Sequence, residues 1–264
     1  MSSRPFTSLR IGLLGAGRVA GQLGPALAAA GHPIAFVWNR NAEQAAALAA
    51  RLPGAQVLSS VAPLLPAADV YLLAVPDAVV APLLAAITWP AGALVVHLAG
   101  ALPLSVFEAQ PALRGGVFYP LQTFSAGRAI AWPAVPLCIE ASDLASETIL
   151  LNLAGSLSQH VLRLDSAQRL KLHVAAVFAN NFTNHLRGVA DALLAEAKLP
   201  PALLAPLVRE TVDKALANPP FAVQTGPAVR RDAPTLAAHH AALAAHPAWR
   251  ALYEQLTASI QAQL

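Results

Sequence analysis

The chain has 264 residues, a net charge of +3, and 56% hydrophobic against 12% charged residues, a composition that excludes an intrinsically disordered protein. No run of Lys or Arg forms a basic stripe, so we expect no nucleic-acid partner. The longest apolar stretch, residues 70–87, is broken by Pro76, Asp77 and Pro82, so we expect no membrane span. A single cysteine, Cys138, excludes an internal disulfide, and because the start shows no secretion signal we expect a cytoplasmic protein.

Short apolar runs alternate with alanine-rich helical runs in the first half of the chain. This alternation predicts a parallel sheet with helices on both faces, and the almost continuous apolar runs are typical of strands buried on both sides. Strands are predicted at Ile11–Leu14, Ile34–Trp38, Gln56–Leu58, Val70–Ala74, Leu94–Leu98 and Gly116–Tyr119, and helices at Val19–Ala30, Ala42–Leu52 and Ala78–Ile87.

The second half is mostly helical. Two further runs, Leu137–Glu140 and Val161–Leu164, are predicted to be strands that flank a helix and complete the sheet. Residues 1–165 are therefore assigned to a sheet domain and residues 166–264 to a helical domain, with the boundary near Asp165. Proline-rich breaks separate the predicted helices Ala167–Ala197, Ala202–Ala217, Thr235–Ala245 and Ala248–Gln263.

A glycine-rich turn directly follows the first predicted strand and opens the first helix. Its pattern, G-x-G-x-x-A, is the dinucleotide-binding fingerprint: Gly15 permits the tight turn, Gly17 lets the backbone approach a pyrophosphate, and Ala20 lets the helix pack on the strand. The motif and its context predict a Rossmann doubly wound, mostly parallel sheet. The residues predicted to contact the cofactor here are Gly15, Ala16, Gly17, Arg18 and Val19.

The end of the second predicted strand indicates which dinucleotide binds. Sites that prefer NAD usually carry an acid here for the ribose hydroxyls, whereas this chain offers Asn39 and Arg40, and a guanidinium suits a 2′-phosphate. NADP is therefore the expected cofactor. The alternative is structural: Asn39 would cap the second helix, and Arg40 would be a solvated charge.

Ligands of open parallel sheets bind beyond the carboxyl ends of the strands. Val75 and Pro76 end the fourth strand and are predicted to contact the cofactor, and Asp77 is expected to cap the next helix. His97 and Gly100 end the fifth strand and are predicted to lie near the nicotinamide. His97 could equally point into the packing of the sheet.

A largely apolar helix in the second half carries His173 and a pair of asparagines. At helical spacing His173, Asn180 and Asn184 share one face, and Asn181 lies about 80° further round. Buried polar groups need partners, and a substrate or the nicotinamide amide would serve. A hydrogen-bonded core histidine with interface asparagines is the alternative.

Two other polar clusters are predicted to be structural. Arg230 or Arg231 could hold a substrate carboxylate, but an arginine–aspartate pair that holds a loop is favoured. The second cluster, His239, His240 and His246, has no acidic or thiol neighbour in sequence, so these histidines are expected to face solvent and no metal site is predicted.

The chain resembles a family of bacterial proteins in five segments that occur in the same order. They are the fingerprint, His97 to Gly100, Tyr119 to Phe124, the helix His173 to Asn181, and Thr225 to Asp232. These are Rossmann-like NADP oxidoreductases with an uncharacterised helical C-terminal domain. Their architecture is similar to that of pyrroline-5-carboxylate reductase and the 6-phosphogluconate dehydrogenase superfamily. The resemblance implies that the helical domain makes a dimer and closes the substrate cleft.

The chain departs from these relatives at two positions. Ala99 stands where the family often has Ser, and Tyr119 stands where it often has His. Lys171 is followed one helical turn later by Ala175, so the Lys–Asn pair of the β-hydroxyacid dehydrogenases is absent.

These patterns predict an NADP-dependent oxidoreductase that transfers a hydride between the nicotinamide and a small carbonyl, imine or hydroxy acid. His173 is the first candidate for proton transfer, His97 the second, and Asn181 the substrate positioner. We expect a homodimer formed mainly by residues after Asp165. The alternative is a dinucleotide-binding sensor or regulatory protein without turnover.

Overall fold

An eight-stranded sheet organises the first part of the computed structural model, which describes residues 7–61, 65–125 and 127–263. Its order is β3-β2-β1-β4-β5-β6-β7-β8, and every described pair is parallel except β6 with β7. The strands are β1 Ile11–Leu14, β2 Ile34–Trp38, β3 Gln56–Leu58, β4 Val70–Leu73, β5 Leu94–His97, β6 Arg114–Pro120, β7 Leu137–Ala141 and β8 Val161–Arg163.

The core lies on both faces of this sheet because side chains alternate along each strand. Leu13 and Leu72 belong to a cluster that packs against the first, second and fourth helices, whereas Leu14 and Leu73 belong to a cluster on the other face with the third helix. Strands β1, β4 and β5 are completely buried, as their continuous apolar sequences predict.

Three helices of this region begin at a residue whose side chain accepts a hydrogen bond from a free N–H group of the first turn. Asn41 caps the second helix by accepting a hydrogen bond from the backbone of Gln44. Asp143 caps the fourth helix and Asp165 the fifth in the same way. The alternative in which Asn39 caps the second helix is therefore wrong, because Asn41 is the cap. The expected cap of the third helix, Asp77, is also wrong, because Pro76 occupies the cap position. The helices are α1 Arg18–Ala29, α2 Ala42–Ala49, α3 Asp77–Ala86, α4 Leu144–Gly155 and α5 Ser166–Ala176.

The chain divides into two compact units, Met1–Phe178 and Ala179–Leu264. The boundary predicted from sequence lies earlier, at Asp165 before α5, and stays a prediction. The predicted fold class, a Rossmann doubly wound sheet followed by helices, is confirmed. The described helices of the second unit are α6 Thr183–Glu196, α7 Ala205–Ala217, α8 Pro227–Arg230, α9 Ala233–Ala242 and α10 Pro247–Gln261, with 3₁₀ turns at Pro201–Leu204 and Pro220–Val223.

The long helix predicted over Ala167–Ala197 is interrupted. Val177–Phe182 form a π-helix between α5 and α6, so each turn there contains more residues than an α-helical turn. Across the part of the chain that the structure describes, no helix has both the length and the apolar character needed to cross a membrane.

Gly15→Ala should lower the free energy of unfolding by at least about 2 kcal/mol, because Gly15 has φ +113° and a Cβ there would lie 2.2 Å from the Ala74 carbonyl oxygen. Gly31→Ala is the matched control. Gly31 has φ +91°, but a Cβ there would meet no neighbouring atom within 4 Å, so this variant should lose only about 1 kcal/mol from backbone strain. Urea denaturation of both variants measures the difference, and equal losses would contradict the importance of the close approach.

Candidate functional site

The turn between β1 and α1 is tightly packed at its first glycine and open at its second. Gly15 packs directly against the backbone of Ala74, and its N–H donates to the Trp38 carbonyl at 2.6 Å. At Gly17 a Cβ would meet no atom within 4 Å, so this side of the turn is open. The first turn of α1 contains no acidic residue and begins with the exposed Arg18, so its free N–H groups and positive charge favour an anion.

A cleft of about 350 Å³ opens beside this turn, at the carboxyl ends of β1, β4 and β5. The structure thus brings together five of the residues predicted to bind the cofactor. Three other predicted residues, Gly15, Ala16 and Gly100, do not line this cleft. The lining residues are Gly17, Arg18, Val19, Ala74, Val75, Pro76, Asp77, Leu98 and Ala99.

Asn39 and Arg40 follow β2 outside this cleft and differ in how they are held. The Asn39 amide donates to the Asn41 carbonyl at 3.1 Å and to Gln44 Oε1 at 3.0 Å, which fixes the turn before α2. Arg40 is exposed and makes no hydrogen bond or ion pair with the residues that the structure describes. Its guanidinium is therefore available to a phosphate.

His97 lies inside the sheet packing. Its ring is fully buried, stacks on Phe107 with centroids 5.8 Å apart, and accepts a hydrogen bond at Nδ1 from the Ala99 N–H. Burial, together with the nearby Arg169 charge, lowers the pKa of His97 to about 3. The imidazole is therefore neutral at physiological pH, and these contacts favour the packing alternative over proton transfer.

His173 meets Tyr119, a residue that the sequence did not identify as part of the site. Tyr119 Oη lies 3.1 Å from His173 Nδ1, and the two rings pack edge to face. Gly100 makes this contact possible, because a Cβ there would lie 2.5 Å from His173 Nδ1 and 2.9 Å from Tyr119 Cζ. The available signal was the position of Tyr119 at the end of β6, on the edge of the sheet where ligands bind.

The surroundings of Tyr119 keep its phenol protonated. Burial is the main cause that raises the pKa of Tyr119, Cys138 and Asp77 raise it further, and Arg169 opposes them. His173 is partly exposed, and its Nε2 makes no hydrogen bond with the described residues. The pair thus has one satisfied ring nitrogen and one that is available to a ligand.

The predicted asparagines are placed differently from a regular α-helix. Asn180 and Asn181 lie in the π-helix and Asn184 lies in α6, and all three are exposed. The 3.6-residue repeat that put His173 and Asn180 on one face therefore does not apply across this segment. The role of Asn181 as a substrate positioner stays a prediction.

The other polar clusters of the second unit hold its helices. Asp232 caps α9 through Thr235 and lies 4.0 Å from Arg230, as a loop-holding pair would. His246 pairs with Glu196, an acidic partner that its sequence neighbours did not reveal. Among the described residues no group of three or more His, Cys, Asp or Glu side chains could hold a metal ion.

Comparison with known proteins agrees with this architecture. Residues 10–100 match the family described as NADP oxidoreductase coenzyme F420-dependent, and residues 135–260 match a domain of unknown function, DUF2520. No curated protein matches the chain. A crystal structure of a candidate NADP oxidoreductase from Bacteroides fragilis is 39% identical, with a TM-score of 0.88 over 96% of this chain and 98% of that one.

More distant structures share the fold alone. A Thermotoga maritima protein is 19% identical with a TM-score of 0.71, covering 96% of this chain and 97% of its own. A reductive aminase from Aspergillus terreus, solved with NADPH and ethyl levulinate, is 19% identical with a TM-score of 0.66, covering 97% and 93%. On the Bacteroides match and the two domain matches, the chain belongs to the NADP oxidoreductase family that joins an N-terminal NADP oxidoreductase domain to a C-terminal DUF2520 domain.

Proposed function

We propose that this protein is an NADP-dependent oxidoreductase that transfers a hydride between the nicotinamide and a small carbonyl, imine or hydroxy acid. The observation that carries the proposal is the contact between His173 and Tyr119 within the same unit as the open glycine turn. A sensor without turnover would need the turn but would not need a proton-transfer group. The family match and the reductases among the structural neighbours support the same chemistry.

The residues present fit NADP, because the space beside Gly17 is open and a glycine there lets the backbone approach a pyrophosphate. Backbone N–H groups at the start of α1 would bind the pyrophosphate, with Arg18 adding charge. Arg40 would pair with the 2′-phosphate, and Val75 and Pro76 would line the path along the strand ends. The bound cofactor supplies or accepts the hydride.

His173 would supply the proton in the direction of reduction. In the imidazolium form both ring nitrogens donate, so Nδ1–H bonds to Tyr119 Oη and Nε2–H is directed to the substrate oxygen or nitrogen. After the transfer the neutral ring keeps its Nδ1–H on Tyr119, so the orientation does not change. Asn181 would position the substrate; His97 remains the second candidate, although its burial disfavours it.

We also propose a homodimer formed by the second unit. In its described part Ala228 and Leu243 are the buried hydrophobic residues, and α6, α7, α9 and α10 contain none. Val208, Val212 and Leu216 form an apolar stripe along α7 at four-residue spacing, and Leu216 is 83% exposed. Exposed apolar side chains in a row along one helix are typical of an interaction surface.

NADPH should bind at least about tenfold more tightly than NADH, because the contact between Arg40 and a 2′-phosphate is charge-assisted. Arg40→Ala should remove this preference by weakening NADPH binding and leaving NADH binding unchanged. Fluorescence titration measures both affinities, with Arg163→Ala, an exposed arginine on β8, as the control. Equal affinities, or a preference that survives in Arg40→Ala, would contradict the assignment.

His173→Ala should lower turnover by roughly a hundredfold or more while NADPH binding stays nearly intact, because the glycine turn makes its own contacts. A screen of imines, 2-keto acids, short aldehydes and coenzyme F420 with NADPH first identifies the substrate. His160→Ala, an exposed histidine before β8, is the control. Full turnover in His173→Ala would remove this residue from the mechanism, and the sensor would become the better proposal if no compound in the screen reacts.

Light scattering at micromolar concentration should give twice the mass of the chain. The double variant Val212→Glu/Leu216→Glu should be monomeric, because two carboxylates would be buried without partners in the interface. Leu144→Glu is the matched control, since Leu144 is 76% exposed but lies on α4 of the first unit. A monomeric wild-type protein, or dissociation by Leu144→Glu alone, would contradict the proposed interface.

A further inference from the structure

We propose that Arg169 is a positioning residue for His173: its ion pair with Glu140 anchors α5 so that the next turn of this helix carries the imidazole to Tyr119. The catalytic consequence rests on the proposed function, whereas the positioning itself does not. Neither Arg169 nor Glu140 was singled out by the sequence.

The guanidinium of Arg169 is the centre of a buried polar network. Its side chain is 1% exposed; Nη1 pairs with Glu140 Oε2, and Nη2 donates to the Leu102 carbonyl at 2.5 Å. Glu140 also accepts hydrogen bonds from the Ser166 backbone and hydroxyl, and that hydroxyl accepts from the Leu104 N–H at 2.9 Å. The network therefore joins β7, the segment after β5 and the first turn of α5.

The same elements carry the groups that surround the candidate proton donor. His173 lies four residues after Arg169, about one helical turn, so both project from the same side of α5. Gly100 lies in the segment that Leu102 ties to Arg169, and it contacts both rings of the pair. The Arg169 guanidinium thus fixes the position of two elements: the helix α5, which carries His173, and the backbone segment with Gly100, against which the His173 ring packs.

An apolar contact could hold β7, α5 and the segment after β5 together, but it would not fix their orientation. Desolvating two charges is costly, and a buried ion pair adds little stability over an apolar pair of similar volume. A guanidinium instead imposes a planar fork of donors, which fixes distance and rotation at two acceptors at once. The buried pair is therefore better explained by orientation than by stability.

The charge of Arg169 also reaches Tyr119 and provides a measurable signature. The titratable groups that face Tyr119 are Cys138 from β7, Asp77 from α3, and His173 and Arg169 from α5. Of these, Arg169 is the group whose charge lowers the pKa of Tyr119. Removing this charge should raise the pH at which the phenol ionises, whether or not a substrate is known.

The test replaces the ion pair by an apolar pair in the full-length protein. Arg169→Met/Glu140→Leu avoids an unpaired buried charge and should keep the melting temperature near that of the wild type. Arg163→Met/Glu147→Leu is the matched control, because it removes an ion pair of 3.1 Å between β8 and α4. Arg169→Lys keeps the charge but loses the planar fork, so it separates position from charge.

Three measurements follow on each variant. Ultraviolet titration gives the ionisation of Tyr119 once the titration curve of the same variant carrying Tyr119→Phe is subtracted. Nitrogen NMR of the imidazoles reports the hydrogen bond at His173 Nδ1. Steady-state kinetics separates kcat from KM. In the apolar double variant we expect the Tyr119 midpoint to move to higher pH and the His173 signal to lose its hydrogen bond. In Arg169→Lys we expect only the His173 signal to change.

The kinetic effect should be a loss of roughly tenfold to a hundredfold in kcat with little change in KM, because a misplaced donor costs rate rather than binding. Unchanged His173 signals in both the double variant and Arg169→Lys would overturn the proposal; if the double variant does not fold, Arg169→Lys decides alone. Changed signals in a protein for which no substrate reacts would support the positioning and count against the proposed reaction.

Discussion

The parallel pairing of β1, β4 and β5 is the constraint on which the rest of the structure depends. Parallel strands end at the same edge of a sheet, so the turns that follow them are neighbours whatever their separation in sequence. The pairing is close enough that the Ala74 carbonyl leaves no room for a side chain at Gly15. The open turn beside Gly17 and the cleft along the strand ends are consequences of this packing.

The polar pair at the end of β6 shows how a largely apolar sheet can hold polar side chains at its edge. Tyr119 and His173 satisfy one another where the strand leaves the core, so neither buries an unpaired polar group on that side. Small residues make the room: Gly100 lies against both rings. Arg169, one turn earlier on α5, pairs with Glu140 of β7 and provides the rigid support that we propose for the orientation of His173.

The two units differ in how they bury apolar surface. The sheet gives the first unit two faces to cover, and its central strands are completely buried. The described part of the second unit is helical, and its larger apolar side chains on α7 remain exposed. A small helical domain has too little volume for its surface to bury such side chains alone, which is the physical basis of the proposed dimer.

The sequence by itself determined the features that depend on local pattern. The eight strands, the glycine turn with its open N–H groups, and Asn39 and Arg40 at the end of β2 all follow from residues that are adjacent or periodic along the chain. One small error lies between two neighbouring residues, because Asp77 was expected to cap α3 and Pro76 occupies the cap position.

Only the tertiary structure decided which distant side chains meet. Tyr119 and His173 are 54 residues apart, and Arg169 bonds to the Leu102 carbonyl 67 residues away, so their contacts depend on how α5 packs on the sheet. It also decided that His97 points into the core, and that a π-helix changes the faces of Asn180 and Asn181. Strand and helix periodicity sets the direction of a side chain relative to its own element, whereas the position of one element against another is set by packing that the local pattern does not contain.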